Sequence, residues 1–491
     1  MRRALEPFLG TRAGPLPSGS AAQVVAMLQS ELGAAELPEH GIGAQRALRK
    51  LGDLVARFGV NLNHPAAIAH LQPPPLAVAV AADTIANLGN ASLDTFDSGP
   101  TAIAIERWTI EALAKLAGFA DGVDGVMTPG GSISNLMGLL LARDAAAARA
   151  GQDARMSGTS VLSSPVVFCS EVAHFSVHRA CATLGLGETA VRTVPVTEAR
   201  TMDSEALSAA LEELKPHETP VAIVATAGTT DYGTIDPLRE IARLARLHGV
   251  WLHVDAAYGF GALFSSRLAP RVSGISLADS VTLDLHKLGW QPAAASILLV
   301  SKQKSFGALS RAVDYLNPKD DAEAGYDGLL GRSLQTTRRA DAIKVAATLM
   351  AHGRRGLGEM VDTCHGLARY AERQINDEPR LALEAPAELT TVLFRFRSKP
   401  HLHASERERL RHENEINAQL RRDLLESGQV LIGRTTLPAD SALGEKRVSL
   451  KFTFINPLTS PADIDAVLKA VVDAGIRCER RRRPVRVVRE E

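Results

Sequence analysis

The chain has 491 residues, of which 45% are hydrophobic, 22% are charged and 4% are aromatic. Lys plus Arg and Asp plus Glu both number 55, so the formal net charge is zero. This balance argues against a broad surface for nucleic acid or anionic membrane. The length suffices for two or three domains, and no run of about 18 apolar residues predicts a membrane-spanning helix.

The four cysteines give no sign of a disulfide framework or a structural zinc site. Cys169, Cys181, Cys364 and Cys478 are far apart in the sequence, and no C-x-x-C spacing occurs. This usage is typical of a reducing compartment. The N-terminus also lacks the continuous apolar core of a secretory signal, so we expect a cytoplasmic protein.

The N-terminal region predicts an arm followed by helices. The first 20 residues predict a mobile arm, and the apolar spacing of 21–33 predicts a helix. Three consecutive prolines, 73–75, follow further on. Because a helix cannot run through them, we expect a new unit to begin near there. The next predicted helix is 99–118.

The middle third alternates short apolar runs with helical stretches. The apolar runs, each a predicted strand, are 164–170, 220–228, 250–257, 279–285 and 295–301. Helical segments such as 236–249 lie between several of them. This alternation predicts a three-layer α/β domain with a mainly parallel sheet.

Beyond about residue 340 the pattern changes to that of a smaller α+β domain. Helices are predicted for 339–376 and near 404–426, and strands for 389–397 and 447–457. The predicted organisation is an N-terminal arm and helical segment (1–74), a large α/β domain (75–340), a small α+β domain (341–478) and a basic tail (479–491). A charged terminus is usually solvated, and an anionic partner is the alternative.

A glycine-rich turn opens a strong helix in "MTPGGSISNLMGLLLARD" (127–144). Gly130 and Gly131 precede Ser132 and Ser134, so free backbone N–H groups and the positive helix end could bind a phosphate. The alternative is an ordinary serine cap. The spacing matches neither the nucleoside triphosphate motif nor the dinucleotide motif.

Two charged residues follow apolar strands. Asp255 ends the strand of "WLHVDAAYG", where a carboxylate must be hydrogen-bonded or paired, and a structural ion pair is the alternative role. Lys287 ends the alternating run "VTLDLHK". Taken alone, Lys287 is best interpreted as a solvated strand end.

Polar residues follow two further strands. His174 comes after 164–170; it could be a core histidine, and with His178 it could bind a metal only if a third ligand exists. A threonine cluster at 226–230 could contact a cofactor or form a turn. Since open α/β sheets bind ligands beside the carboxyl ends of their strands, we expect these residues near one site. A phosphate-binding turn, a buried acid and an amine are together what pyridoxal 5′-phosphate requires. The aldehyde of this cofactor forms a Schiff base with a lysine.

The sequence resembles the group II pyridoxal-phosphate decarboxylases over about residues 63 to 470. Motifs typical of that family occur in order: "NHPAAIAHLQPPPL", "GVMTPGGSISNLMGLLLARD", "TAGTTDYGTIDPL", "WLHVDAAYG", "ADSVTLDLHK" and "SLQTTRRADAIK". Within the family the chain looks most similar to bacterial L-2,4-diaminobutyrate decarboxylases. The resemblance implies the type I fold of pyridoxal-phosphate enzymes and a cytoplasmic homodimer with shared active sites.

The resemblance also assigns roles to residues of this chain. It implies that Lys287 is the Schiff-base lysine, that Asp255 pairs with the pyridine nitrogen, and that His174 stacks on the ring. The remaining residues implied to contact the cofactor are Ser132, Ser134, Thr230, Ala257 and His286. No metal is implied.

The implied reaction is α-decarboxylation of an L-amino acid to an amine and CO₂, with Tyr326 as the proton donor, acting in its own subunit or the neighbouring one. L-2,4-diaminobutyrate, giving 1,3-diaminopropane, is the first candidate substrate, and glutamate, aspartate, lysine and ornithine stay open. An aminotransferase, an aldehyde-forming decarboxylase and a non-catalytic partner protein are the alternative functions.

Two residues depart from the family pattern. Lys451 stands where relatives commonly have an arginine that binds the substrate carboxylate, and lysine offers a point charge instead of a planar fork. Asp284 stands where several relatives have asparagine near the phosphate. A carboxylate there would be repelled by the phosphate unless it forms hydrogen bonds elsewhere.

Overall fold

The computed structural model describes residues 12–310, 313, 316, 318–399, 405–438 and 444–481. The first part of the predicted arm (1–11) and most of the predicted basic tail (482–491) lie outside the described residues. The α-helices are α1 Ala21–Leu32, α2 Ala44–Phe58, α3 Ala77–Gly89, α4 Pro100–Ala117, α5 Gly131–Arg149, α6 Ala154–Ser157, α7 Ser176–Thr183, α8 Ser204–Glu212, α9 Leu238–Leu247, α10 Lys319–Glu323, α11 Ala342–Asp377, α12 Glu406–Ser427 and α13 Pro461–Arg481. The strands are β1 Asp124–Thr128, β2 Pro165–Ser170, β3 Val191–Val194, β4 Thr219–Thr226, β5 Trp251–Asp255, β6 Ser280–Asp284, β7 Ser296–Val300, β8 Leu381–Leu383, β9 Thr391–Phe396, β10 Gly433–Leu437 and β11 Arg447–Thr453.

The chain divides into two compact units. The larger unit is 75–363, and the other combines 1–74 with 364–491. The N-terminal segment therefore shares a unit with the C-terminal residues, and the division falls within α11 instead of before it. Helix α11 is kinked at Gly353, whose φ of 59° is a conformation that glycine adopts without strain.

The larger unit contains a seven-stranded sheet in the order β1-β7-β6-β5-β4-β2-β3. The pairs β2·β3, β2·β4, β4·β5 and β5·β6 are parallel, whereas β7 runs antiparallel to both β6 and β1. The predicted α/β architecture with a mainly parallel sheet is confirmed. Strands β1 and β3 were not predicted, because β1 begins with Asp124 and Gly125, residue types that are depleted in strands, and β3 has four residues and is largely half-exposed.

Apolar side chains from both the sheet and the helices form the core of this unit. Every residue of β5, β6 and β7 is buried, which explains their continuous apolar sequences. Helix α5 packs against the sheet through side chains such as Leu139 and Leu141, which share a cluster with Val167, Val224 and Leu298. This packing fixes the position of the first turn of α5 relative to the sheet.

The parallel strands end at one edge of the sheet, and their registers align the polar residues there. Thr226 at the end of β4 pairs with Asp255 at the end of β5, and Asp255 pairs with Thr282 of β6. The segments that carry His174 and Lys287 follow β2 and β6 at the same edge. The topology therefore brings these groups together, as expected for an open α/β sheet.

The other unit contains a four-stranded antiparallel sheet in the order β10-β11-β9-β8. Its core includes Phe394, Phe396, Phe452 and Phe454, with ring centroids of Phe394 and Phe452 4.6 Å apart. The predicted small α+β architecture is confirmed, although β8, which has three residues, and β10, which is buried only at its two ends, were not foreseen. No helix in the described part of the chain is long and apolar enough to cross a membrane.

We predict that Gly475→Ala destabilises the protein although alanine favours helices. A Cβ at Gly475, in α13, would lie 2.3 Å from Cδ2 of the buried Phe396 ring. Overpacking of this kind costs about 1–3 kcal/mol, so the urea midpoint should fall. Gly366→Ala lies at an exposed position of α11, where the new Cβ would meet no described atom within 4 Å outside the helix's own backbone, so it should raise the free energy of unfolding by about 0.5–1 kcal/mol. A Gly475→Ala midpoint at or above that of the parent would contradict this packing.

Candidate active site

A cavity of about 310 Å³ opens at the carboxyl edge of the larger sheet. Seven of the residues proposed from the sequence line it: Ser132, His174, Thr230, Asp255, Ala257, His286 and Lys287. Three others do not. Ser134 is fully buried and Tyr326 is 58% exposed, and neither lines this cavity, while Lys451 belongs to the other unit.

The first turn of α5 forms one wall of the cavity. The chain enters the helix through Gly130, whose φ is 137°, and Ser132 lines the cavity. The Ser134 hydroxyl instead lies 2.6 Å from the Thr128 hydroxyl, which ties the helix to β1. A Cβ at Gly131 would lie 2.8 Å from a carboxylate oxygen of Asp284, so only glycine allows this close approach. The wall thus presents a helix N-terminus, which favours anions.

Asp284 is compensated by its neighbours. Its carboxylate accepts a short hydrogen bond from the Ser296 hydroxyl, and Oδ2 lies 3.0 Å from Nζ of Lys287. Nε2 of His286 lies 3.7 Å from the same oxygen. Asp284, which stands where several relatives have asparagine, therefore has the neighbouring donors that a carboxylate near a phosphate is expected to need.

Lys287 follows β6 in a tight turn. The N–H of Leu285 donates to the carbonyl of Ala295, and the N–H of Lys287 donates to the carbonyl of Asp284. The side chain of Lys287 is 22% exposed and its amine contacts Asp284. The turn thus places an amine, a potential nucleophile once deprotonated, in the cavity wall instead of on the outer surface.

Asp255 is held by donors from two directions. Oδ1 accepts from the Ala257 N–H at 3.1 Å, and Oδ2 accepts from Nδ2 of Asn135 at 2.8 Å. Asp255 is 6% exposed, so these bonds offset the cost of burying its carboxylate.

His174 is a partly buried imidazole beside this carboxylate. Burial lowers the pKa of His174, and the nearby Asp255 charge opposes this effect only in part. Nδ1 lies 2.8 Å from the Ser176 hydroxyl. Burial therefore favours the neutral form of the ring. No group of three or more His, Cys, Asp or Glu side chains suited to a metal ion occurs among the residues that the structure describes.

Among the other residues that line the cavity, Asn135 and Tyr258 were not selected from the sequence, and Thr226 was selected only as part of a threonine cluster. The signal for Asn135 was its place one helical turn after Ser132, on the same face of α5. Thr226 was noted only as one of several threonines. Its Oγ1 is buried without a hydrogen-bond partner in the described part of the chain.

Asp236 holds the end of β4 in place beside the cavity. Its carboxylate accepts from the N–H groups of Thr226 and Met202, both at 2.7 Å. Burial raises the pKa of Asp236 to about 6. The aspartate of the "GTID" motif therefore supports the strand end and does not line the cavity.

These groups fit pyridoxal 5′-phosphate. The cofactor needs an amine for its aldehyde, an acid for its ring nitrogen and donors for its phosphate. Lys287, Asp255 and the N-terminus of α5 offer them around one cavity, and Ala257 leaves room for a flat ring. The unpartnered hydroxyl of Thr226 is a polar atom that a bound group could satisfy.

Comparison with known sequences agrees with this chemistry. The family model described as "Pyridoxal-dependent decarboxylase conserved domain" matches residues 32–397. The chain is 38% identical over 436 residues to an L-2,4-diaminobutyrate decarboxylase of Rhizobium meliloti (strain 1021), covering 89% of this chain and 83% of that protein. It is 33% identical over 444 residues to one of Acinetobacter baumannii, covering 88% and 84%.

Solved structures show the same architecture. The glutamate decarboxylase domain of diaminobutyrate-pyruvate transaminase and L-2,4-diaminobutyrate decarboxylase from Vibrio parahaemolyticus is 30% identical, with a TM-score of 0.83 and coverage of 97% of this chain and 94% of that one. Mouse CSAD is 27% identical, with a TM-score of 0.86 and 96% of each chain covered. The chain therefore belongs to the pyridoxal-dependent decarboxylase family.

Proposed function

We propose that this pyridoxal-phosphate-dependent carboxy-lyase converts L-2,4-diaminobutyrate to 1,3-diaminopropane and CO₂. One observation supports the proposed class of reaction: Lys287 and Asp255 line the same cavity, beside the N-terminus of α5. The substrate is inferred from two relatives named for it, each more than 80% covered by this chain.

We propose that Lys287 holds the cofactor covalently and Asp255 pairs with its ring nitrogen. When bound, pyridoxal 5′-phosphate supplies an aldehyde that condenses with amines and a ring that accepts the electron pair of the breaking bond. Asp255 is suited to its role because its two oxygens are already oriented by Ala257 and Asn135. Asp284 orients the Lys287 amine through its 3.0 Å contact.

Phosphate binding is proposed for the first turn of α5, with Ser132, Thr230 and His286 beside it. The N–H groups of Ile133 and Ser134 already donate to the Gly130 carbonyl, whereas those of Gly131 and Ser132 come before any carbonyl that the helix could offer, so an anion can satisfy them. Ser134 would contribute indirectly through Thr128, because its hydroxyl is bonded there. Ala257 and His174 would face the two sides of the ring.

We propose Tyr326 as the group that protonates the substrate carbon, in a homodimer whose sites combine both chains. Tyr326 does not line the cavity of its own chain, and its ring packs edge-on against Phe96 at 5.6 Å. This placement suits action on a neighbouring subunit. Tyr326→Phe keeps the ring and removes the acid, so kcat should fall by about 100-fold or more, with an unchanged kcat as the contrary result.

Lys451 is proposed to bind the substrate carboxylate. It lies on β11 opposite Gly433, where a Cβ would come within 3.3 Å of its side chain, so the glycine makes room for it. The pKa of His70 is lowered mainly by burial and also by the charge of Lys451. A cytoplasmic location is also proposed, since all four cysteines are free and buried.

We predict that the holoenzyme releases CO₂ fastest from L-2,4-diaminobutyrate. Ornithine is one methylene longer, and a difference of this size is worth at least about tenfold in kcat/KM. The measurement compares CO₂ and amine from diaminobutyrate, ornithine, lysine, glutamate and aspartate, and it also assays aldehyde and keto acid. Equal amounts of amine and CO₂ are expected. Faster turnover of another amino acid would reject the substrate, and aldehyde or keto acid would reject the reaction.

We predict that Lys451→Met lowers kcat/KM by about 10- to 100-fold, because a charge-assisted hydrogen bond contributes about 1.5–3 kcal/mol. Lys451→Arg should retain most activity, since it keeps the charge. Lys469→Met, at an exposed position of the same unit, is the matched control. If Lys451→Met and Lys469→Met behave alike, Lys451 does not bind the substrate.

A further inference from the structure

Asn135 sits at the junction of several buried polar groups. It is 1% exposed, and its Nδ2 lies 2.8 Å from Oδ2 of Asp255 and 2.9 Å from Oγ of Ser176. Its Oδ1 lies 3.0 Å from Nε2 of His253. Both amide hydrogens and the amide oxygen therefore have partners, two of them on β5 and the third at the start of α7.

One end of this network begins with a group that can only donate. The Trp251 indole N–H can only donate, and it lies 2.9 Å from the Ser280 hydroxyl. Ser280 accepts that bond, so its own hydrogen is available for Nδ1 of His253, 2.8 Å away. Burial lowers the pKa of His253 to about 4, so the ring is neutral and its single hydrogen is left for Nε2.

The Asp255 carboxylate at the other end fixes the direction, because it can only accept from Nδ2 of Asn135. Nε2 of His253 donates to Oδ1 of Asn135, which leaves the two hydrogens of Nδ2 for Asp255 and Ser176. A flipped amide would place its oxygen against the Asp255 carboxylate, oxygen against oxygen. The Thr282 hydroxyl, at a longer 3.4 Å from Nε2 of His253, can share that hydrogen as a second acceptor.

A branch of the network continues to His174. Ser176 Oγ accepts from Asn135, and its hydroxyl donates to Nδ1 of His174 at 2.8 Å because that nitrogen also accepts from a backbone N–H. The backbone N–H of Ser176 lies 3.3 Å from the same nitrogen. Nδ1 of His174 is an acceptor for both, so the hydrogen of this neutral ring is on Nε2.

The packing of α5 is adapted to this network. Gly138, about one turn beyond Asn135, lies directly against the His253 ring, and a Cβ there would come 2.6 Å from Nδ1. Only glycine lets the imidazole lie close enough to the helix to reach Asn135. A buried network in which every member is satisfied orients its members strongly.

We propose that Asn135 is a positioning residue that links Asp255 and His174 in one directional chain of hydrogen bonds starting at the Trp251 indole. The chain sets the orientation of the Asp255 carboxylate and holds His174 as its Nε2–H tautomer. Asp255 is thereby oriented to pair with the ring nitrogen of the cofactor, and His174 to stack on the face of that ring. The roles of Asp255 and His174 toward the cofactor rest on the proposed function, whereas the chain of hydrogen bonds does not.

The first test is nitrogen NMR of the ¹⁵N-histidine-labelled holoenzyme at pH 7, with signals assigned through His174→Gln and His253→Gln. We expect both rings to be neutral, with the hydrogen on Nε2 and an acceptor-type Nδ1. A hydrogen on Nδ1 of either ring, or a doubly protonated ring, would overturn the directional chain. This result does not depend on the substrate or the reaction.

The second test is Asn135→Asp, which keeps the shape and removes both donors. The dissociation constant for pyridoxal 5′-phosphate should rise by about 10- to 100-fold, since Asp255 loses its donor. The Nδ1 signal of His174 should shift, because the Ser176 hydroxyl turns to the new carboxylate. Asn87→Asp, at an exposed position of α3, should change neither quantity.

Circular dichroism and the thermal midpoint show whether Asn135→Asp is folded. If Asn135→Asp is unfolded, the His174 and His253 tautomers measured in the parent protein still test the proposal. A folded Asn135→Asp with a parental dissociation constant and an unshifted His174 signal would overturn the positioning role. Loss of decarboxylation without these two changes would also count against it.

Discussion

The hydrogen bond from Asn135 to Asp255 is the interaction around which the site is organised. A carboxylate at the end of a buried strand needs donors, and one of them comes from the first turns of α5. That requirement fixes how close α5 lies to the sheet, which in turn requires glycine at 138. The same helix presents its N-terminus to the cavity. One packing contact therefore positions both the acid and the turn proposed to bind the phosphate.

Charge balance explains the other side of the cavity. Asp284 lies close to Gly131 at the N-terminus of α5, bonded to Ser296 and 3.0 Å from the Lys287 amine. The helix end and the amine both favour its negative charge. The Asp284 carboxylate thus orients the Lys287 amine. A phosphate bound at this helix end would also lie near that negatively charged group. Asparagine at this position would lack that charge.

The sequence carried enough information for the sheet but only part of the site. Long apolar runs such as those ending at Asp255 and Lys287 predicted buried strands, and parallel topology then places their ends together. Asn135 was missed because an amide within a helix has no distinctive pattern, and its role depends on partners 41 to 120 positions away. Short strands such as β8 lack periodicity, so only tertiary pairing reveals them.

The central claim is that Lys287 carries the cofactor in the cavity that Asp255 lines. Borohydride reduction of the holoenzyme, followed by proteolysis and mass spectrometry, tests it directly. We expect the pyridoxyl label on the peptide containing Lys287; it should be lost in Lys287→Ala but retained in Lys304→Ala, at an exposed position. Recovery of the label on another lysine, or an unchanged visible absorbance band in Lys287→Ala, would contradict it.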